Sequence, residues 1–362
     1  MANETEKVNT IAIADIEKIS GRTDDNIEKL SGLEFTGVVA VWSGTRAILA
    51  GGNSRNASGG SRSTNVIQYK TLDSDANTAD FGDLQLLRGD MRGSGSNGTR
   101  AISGGGDSRE ASVTYAVDTI DYVTVASVGT LGDAGDLDTG MSAASRDGAS
   151  NGILCFFMGG YTAGDSAQME QMTISTTSGS ATAGDLDGGA SRKHAASNGD
   201  SKTLIMGAES AVVGKTSVDS HNFNTSANAT SYDGDITEGV GYAGCLSSSS
   251  RVVLAGGFKT GWAITDTMQS FSVASEANST DEDNLVQTMY DVSGTSDGTR
   301  GEFYGGNGDG TTGNYVKNHI QKITIASIST AEDIGDLTTA DISSTDYTDA
   351  GAMAYISSQT GT

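Results

Sequence analysis

Residues 79–84 read Ala-Asp-Phe-Gly-Asp-Leu. Asp-Phe-Gly is the tripeptide that holds magnesium in protein kinases, which makes Asp80 a candidate metal ligand for phosphoryl transfer. That chemistry also needs a Gly-rich loop leading into a Lys-bearing strand, and an HRD-type catalytic loop. The stretches "GGNSRNASGG" (51–60) and "GNGDG" (306–310) are Gly-rich, but neither leads into such a strand, and no HRDxxxxN sequence occurs. The three histidines, His194, His221 and His319, lie far apart, and no GxSxG elbow offers a nucleophile. Structural histidines are the stronger reading. Cys155 and Cys245 stand 90 residues apart with no CxxC, so two buried small thiols are expected rather than a disulfide or zinc site. The acidic stretches "DSDAN" (73–77) and "NGDG" (307–310) carry oxygen ligands suited to calcium, but neither completes an EF-hand loop. Turn closure by Asp and Asn is the stronger reading there. No catalytic residue, metal or cofactor is expected.

Composition narrows the class further. The chain has 362 residues with 50 Gly, no Pro, 6% aromatics and a formal charge of −24. Gly, Asp, Asn and Ser are turn chemistry. Recurrent short runs of apolar and β-branched residues argue against a solvated, disordered tract. An acidic surface cannot displace counterions from phosphates, which argues against nucleic acid as a partner. The first residues, "MANETEKVNT", lack the basic and apolar regions of a secretory signal, and no run approaches 18 apolar residues. Membrane insertion is not expected.

What positions these residues is a repeat. The Asp-Phe-Gly-Asp-Leu stretch returns as DAGDL, TAGDL, YDGDI, DEDNL and DIGDL, whose last residues are Leu137, Leu186, Ile236, Leu285 and Leu337. Counted from Leu84, the spacings are 53, 49, 50, 49 and 52. A second column, Ile67, Ile120, Met169, Val218, Met268 and Ile320, precedes the first by 17 or 18 residues every time. A third is an apolar run that opens on a turn and closes on Gly-Gly or Gly-Ala, as in "SGTRAILAGG" (43–52) and "SRVVLAGG" (250–257). A weaker run precedes it: 37–41, 92–96, 142–146, 194–197, 241–245 and 290–294. Four short antiparallel strands per repeat of about 40–50 residues predict propeller blades. The expected fold is all-β: a six-bladed propeller over residues 34–362, behind a leader at 1–33. In six equivalent copies the Asp-Phe-Gly motif marks a turn, and Asp80 loses its catalytic reading.

Within the leader, "ADIEKISG" and "DNIEKLSG" are near-copies 11 residues apart. Their apolar pairs, Ile16 with Ile19 and Ile27 with Leu30, and their closing Gly predict two very short helices. Such helices need a surface to lie on, either the propeller or a docking partner. At the other end, "DAGAMAYISS" (349–358) reads as a seventh copy of the weak strand. It implies that one terminus pairs with the other to close the ring, with the donor undecided. Loops after the Gly pair vary most in length, and variable loops on a rigid scaffold carry specificity. Tyr115, Tyr161, Phe258, Trp262 and Tyr315 sit on them as candidates for stacking on sugars or anchoring a protein.

A strand ending in Gly-Gly, a variable loop, a Tyr-bearing strand and a short closing strand resemble the kelch blade, without its last-strand Trp. The wording "SNGTRA…GGG", "TIDYVT" and "DFGDL", with the leader "VNTIAIADIEKISG", resembles virion structural proteins of marine tailed bacteriophages, cyanophages among them. The resemblance implies a non-enzymatic virion protein, present in many copies and assembled in the host cytoplasm. It implies capsid or tail proteins as partners, and a place as a tail-fibre component or capsid decoration. Two alternatives stay open: an adhesin for host surface glycans, and a propeller enzyme acting on polysaccharide.

Overall fold

In a computed structural model the chain divides into two compact units, Met1–Val41 and Trp42–Thr362. The described residues are 46–337, without 56–60, 90–92, 111–112, 130, 139–148, 161–165, 188–192, 198, 200, 208–214 and 309–316. To these are added the strand Met353–Tyr355 and six two-residue strands between Lys7 and Glu34.

The larger unit is a six-bladed β-propeller. Five blades are four-stranded meanders in chain order, such as Gly244–Ser247, Arg251–Ala255, Thr267–Ser272 and Thr280–Asn284 in blade five. The second strand of each blade is the Gly-pair run, buried on both faces as its apolar sequence requires. In blade one, Arg46–Ala50, Ser61–Thr71 and Ala79–Arg88 supply three strands. The fourth comes from the other end of the chain: Met353, Ala354 and Tyr355 pair antiparallel with Ala50, Leu49 and Ile48. The C-terminus therefore closes the ring, which settles the donor. The alternative stretch, 37–41, lies outside the described residues.

Inner strands are rich in Gly, Ala and Ser. They read GSGS, AS, HAAS, GCLS and SGTS. In blades five and six they begin three residues later than expected, at Gly244 and Ser293. In blade three the strand is Ala149–Ser150, and the expected 142–146 lies outside the described residues. One buried serine per inner strand ties the blades together. Ser150 Oγ donates to Ser96 O (3.4 Å) and Ser247 Oγ to Ser197 O (2.9 Å). Ser197 bonds Ser150 O, and Ser296 bonds Ser247 O, in the same way.

The leader expectation needs correction. Lys18–Ile19 pairs with Arg22–Thr23, and Lys29–Leu30 with Leu33–Glu34, where short helices were expected. The intervening Ser20-Gly21 and Ser31-Gly32 are residues that two-residue hairpin loops favour, so each Gly that reads as a helix stop also reads as a hairpin turn. Lys7–Val8 with Ile11–Ala12 makes a third pair, again 11 residues earlier. Of the leader residues named above, Ile19 and Leu30 fall in these strands, while Ile16 and Ile27 lie outside the described residues.

Candidate functional site

The residue types that suggested catalysis are engaged in holding the blades. Asp80 Oδ1 accepts from Gly82 N (3.1 Å), and Asp133 repeats this on Gly135 N (2.7 Å). Each closes a bulge in the outer strand. The recurrent "GD" corner is also where the next blade docks. Asn228 accepts from Asp185 N (3.1 Å), Asn278 from Asp235 N (3.0 Å) and Asn77 from Asp336 N (3.0 Å). The corner's Gly is demanded by this approach. Gly184 has φ +106, and a Cβ there would stand 2.5 Å from Ala227 O of the next blade. These corners end the outermost strands, so their carboxylates lie around the rim.

Asp75, in the "DSDAN" stretch, is held by Arg300 (2.8 Å) and Lys322 (2.7 Å) of blade six. The hydrogen bonds from Lys322 and then Arg300 pull its carboxyl below the usual range. Two cations already occupy the oxygens that calcium would need. Among the described residues no group of three or more His, Cys, Asp or Glu is arranged to hold a metal ion. His194 Nε2 accepts from Ala243 N (3.0 Å). His221 packs edge-on to Phe156, and burial pushes its ring toward the neutral form. His319 lies 3.0 Å from Asp333 at the surface. Cys155 and Cys245 are buried on different blades, and burial pushes the Cys155 thiol far up.

A polar column in the third strands went unread in the sequence. Gln68, Asp121, Glu170, Asp219, Gln269 and Gln321 each follow the apolar marker, and all are buried. Four grip the linker that enters their blade, and Asp121 grips buried Arg88 at the end of blade one's last strand. Asp219 pairs with Lys193 (2.5 Å). Glu170 accepts from Asp138 N (3.0 Å), Gln269 from Glu238 N (2.8 Å) and Gln321 from Val286 N (2.7 Å). Burial raises the Asp121 carboxyl pKa, and Arg88 opposes the shift.

Among the described residues, an aromatic cluster lies on the Gly-pair face between blades five and six. Of the five aromatics predicted as contacts, Phe258 and Trp262 come together, with ring centroids 5.4 Å apart. Tyr115 lies in the strand Val113–Ala116, opposite Ser108. Tyr161 and Tyr315 lie outside the described residues. Two tyrosines that sequence reasoning missed complete the cluster. Tyr242 is 5.6 Å from Phe258, and Tyr290 is 4.1 Å from it. Both were assigned to inner strands. The later strand starts place them in the linkers that enter blades five and six, on the face that carries Phe258.

The backbone there is unusual. Tyr242 (φ 61°), Trp262 (φ 66°) and Asp291 (φ 59°) are the non-Gly residues with positive φ among the described residues, and all three belong to this cluster. Bulky side chains rarely adopt this conformation, and such strain persists only where surroundings impose it. Gly241 bridges to Phe258, and Tyr290 occupies the matching place in the next linker, bridging to Asn307. Asn307 Nδ2 donates to Asp291 (3.0 Å), and Asp291 N donates to Tyr242 O (2.8 Å). Trp262 closes a turn through its N–H to Lys259 O (3.0 Å) and remains 55% exposed. Lys259 Nζ meets Glu238 at 2.9 Å beside this turn, both partly exposed. The arrangement is an aromatic cluster with an exposed indole and a partly exposed Lys259–Glu238 ion pair close by in the chain. No protein-family model matches the chain, and no curated protein matches it.

Proposed function

We propose that this chain is a non-enzymatic structural protein of a phage virion, displayed on the particle surface as a capsid or tail component. The leader docks it to other virion proteins, and the Gly-pair face points outward. The sequence resemblance supplies the virion setting. The observation that carries the reading is the division of labour in the propeller: ionisable groups stitch blades together, while an exposed Trp262 crowns a braced aromatic cluster. An acidic protein with a formal charge of −24 suits protein partners better than nucleic acid.

Deleting residues 1–33 in the phage tests the docking role. The expected result is particles that lack the protein although it still folds. Full copy number on particles would overturn it. The aromatic cluster also favours a second reading, an adhesin for host surface glycans. A polysaccharide-acting enzyme is the third reading. Release of reducing ends from host envelope would reverse that order.

A further inference from the structure

We propose that the Trp262 turn at the seam of blades five and six is a binding site for a neutral pyranose sugar. The biological setting of this site rests on the outward-facing loops proposed above. The site itself rests on three observations that do not.

The first is convergence of strain. Three positive-φ residues, Tyr242, Trp262 and Asp291, stand in a single cluster. Local strain of this kind concentrates at ligand sites. The second is rigidity with exposure. Phe258 touches Tyr242, Trp262 and Tyr290, so the indole is braced by an edge-type contact with Phe258 while it remains 55% exposed. A fixed indole face is suited to the C–H face of a sugar ring. The third is the polar flank. The short pairing of Val240–Gly241 with Phe258–Lys259 brings Glu238 and Lys259 to one edge of the turn. A carboxylate and an ammonium there can accept from and donate to adjacent hydroxyls.

Size and charge select the occupant. A protein partner of ordinary affinity covers about 800 Å² per side around several apolar anchors. Among the described residues the other exposed large apolar side chains are Leu86, Val128 and Ile153, on other blades, and Val286, at the start of the linker that enters blade six. A lone indole of this kind matches one sugar ring. The formal charge of −24 disfavours sialylated or uronic glycans.

The test titrates the full chain with methyl glycosides of glucose, galactose and mannose, with N-acetylglucosamine, and with a sialylated lactose. Titration calorimetry reads binding for every variant, and indole fluorescence in a Trp42→Phe background, with Trp262 retained, reports contact at Trp262 itself. At least one neutral glycoside is expected to bind, with the sialylated sugar at least tenfold weaker. Trp262→Ala is expected to weaken binding about tenfold or more, Trp262→Phe by about threefold, and Lys259→Gln by a few-fold. Unchanged melting of each variant keeps folding separate from binding. The proposal is overturned if no neutral glycoside binds, if Trp262→Ala binds like wild type, or if the sialylated sugar binds best. Normal incorporation of Trp262→Ala into particles leaves the docking role intact, so the two proposals fail independently.

Discussion

At the scale of single residues, a carboxylate's job here is decided by what already occupies its oxygens. Asp80 closes on its own bulge, and Asp75 is shared by two cations of another blade. Asp75, Glu276 and Asp283 all have carboxyls held below their ordinary values of 3.8, 4.5 and 3.8 by bonds led by Lys322, Lys202 and Thr330. Each of these contacts crosses from one blade to its neighbour. A depressed folded pKa gives stability that is complete above the unfolded value and is lost as pH falls through the folded one. Acid is therefore expected to loosen the seams below about pH 4. Comparing melting of wild type and Asp75→Asn checks this. The variant should melt lower at pH 7, and the gap should shrink toward zero as pH approaches 2. A gap that is constant across that range would contradict the assignment. The sequence showed these acids as turn residues, because Asp and Asn recur beside Gly at fixed places. It could not show the cations, which stand 225 and 247 positions away.

Between elements, the seams follow one pairing rule with a single departure. The middle residue of each second strand faces the third strand of the next blade. Ile48 shares an apolar cluster with Val123, Ile102 with Met172, Leu204 with Phe271 and Val253 with Ile323. Phe156 meets His221 at 4.7 Å. Where blade six meets blade one, the pair is Glu302 with Lys70, 2.8 Å apart and buried. Tyr304 and Arg300 also bond Glu302, and Lys70 reaches Thr71 O (3.1 Å). Burial pulls the Lys70 ammonium below its ordinary range, and Glu302 pulls back. Buried charges tolerate neither partner alone, so the pair marks the seam where the two ends of the ring must find each other. Glu302→Ile or Lys70→Val alone is expected to cost about 3–5 kcal/mol in urea unfolding. The double variant, which copies the apolar seams, is expected to recover most of that loss. Additive losses would contradict the pairing. Repeat spacing made the strands legible, since turns and apolar runs are local signals. The linkers were misread because Tyr242 and Tyr290 continue an apolar pattern straight into the inner strands. Only the pairing of Gly244 with Ala255, and of Ser293 with Tyr304, fixes where those strands begin.

For the whole molecule, closure turns six similar blades into one body with two unlike faces. Met353–Tyr355 pairs with Arg46–Ala50, so the chain's far end completes its first blade and covers a strand edge that would otherwise stay open. The hairpin face carries the turns before each second strand, and the opposite face carries the Gly-pair loops and the Trp262 cluster. Sequence reasoning reached blade number and closure because both follow from counting repeats. It reached two members of the aromatic cluster and missed two, because the cluster forms across a seam. A residue-resolution reconstruction of the intact particle tests the account most directly. The account predicts six-bladed discs in many copies, attached through residues 1–33, with Trp262 on the outward face. Discs attached through the Trp262 face, or particles without the protein, would contradict it.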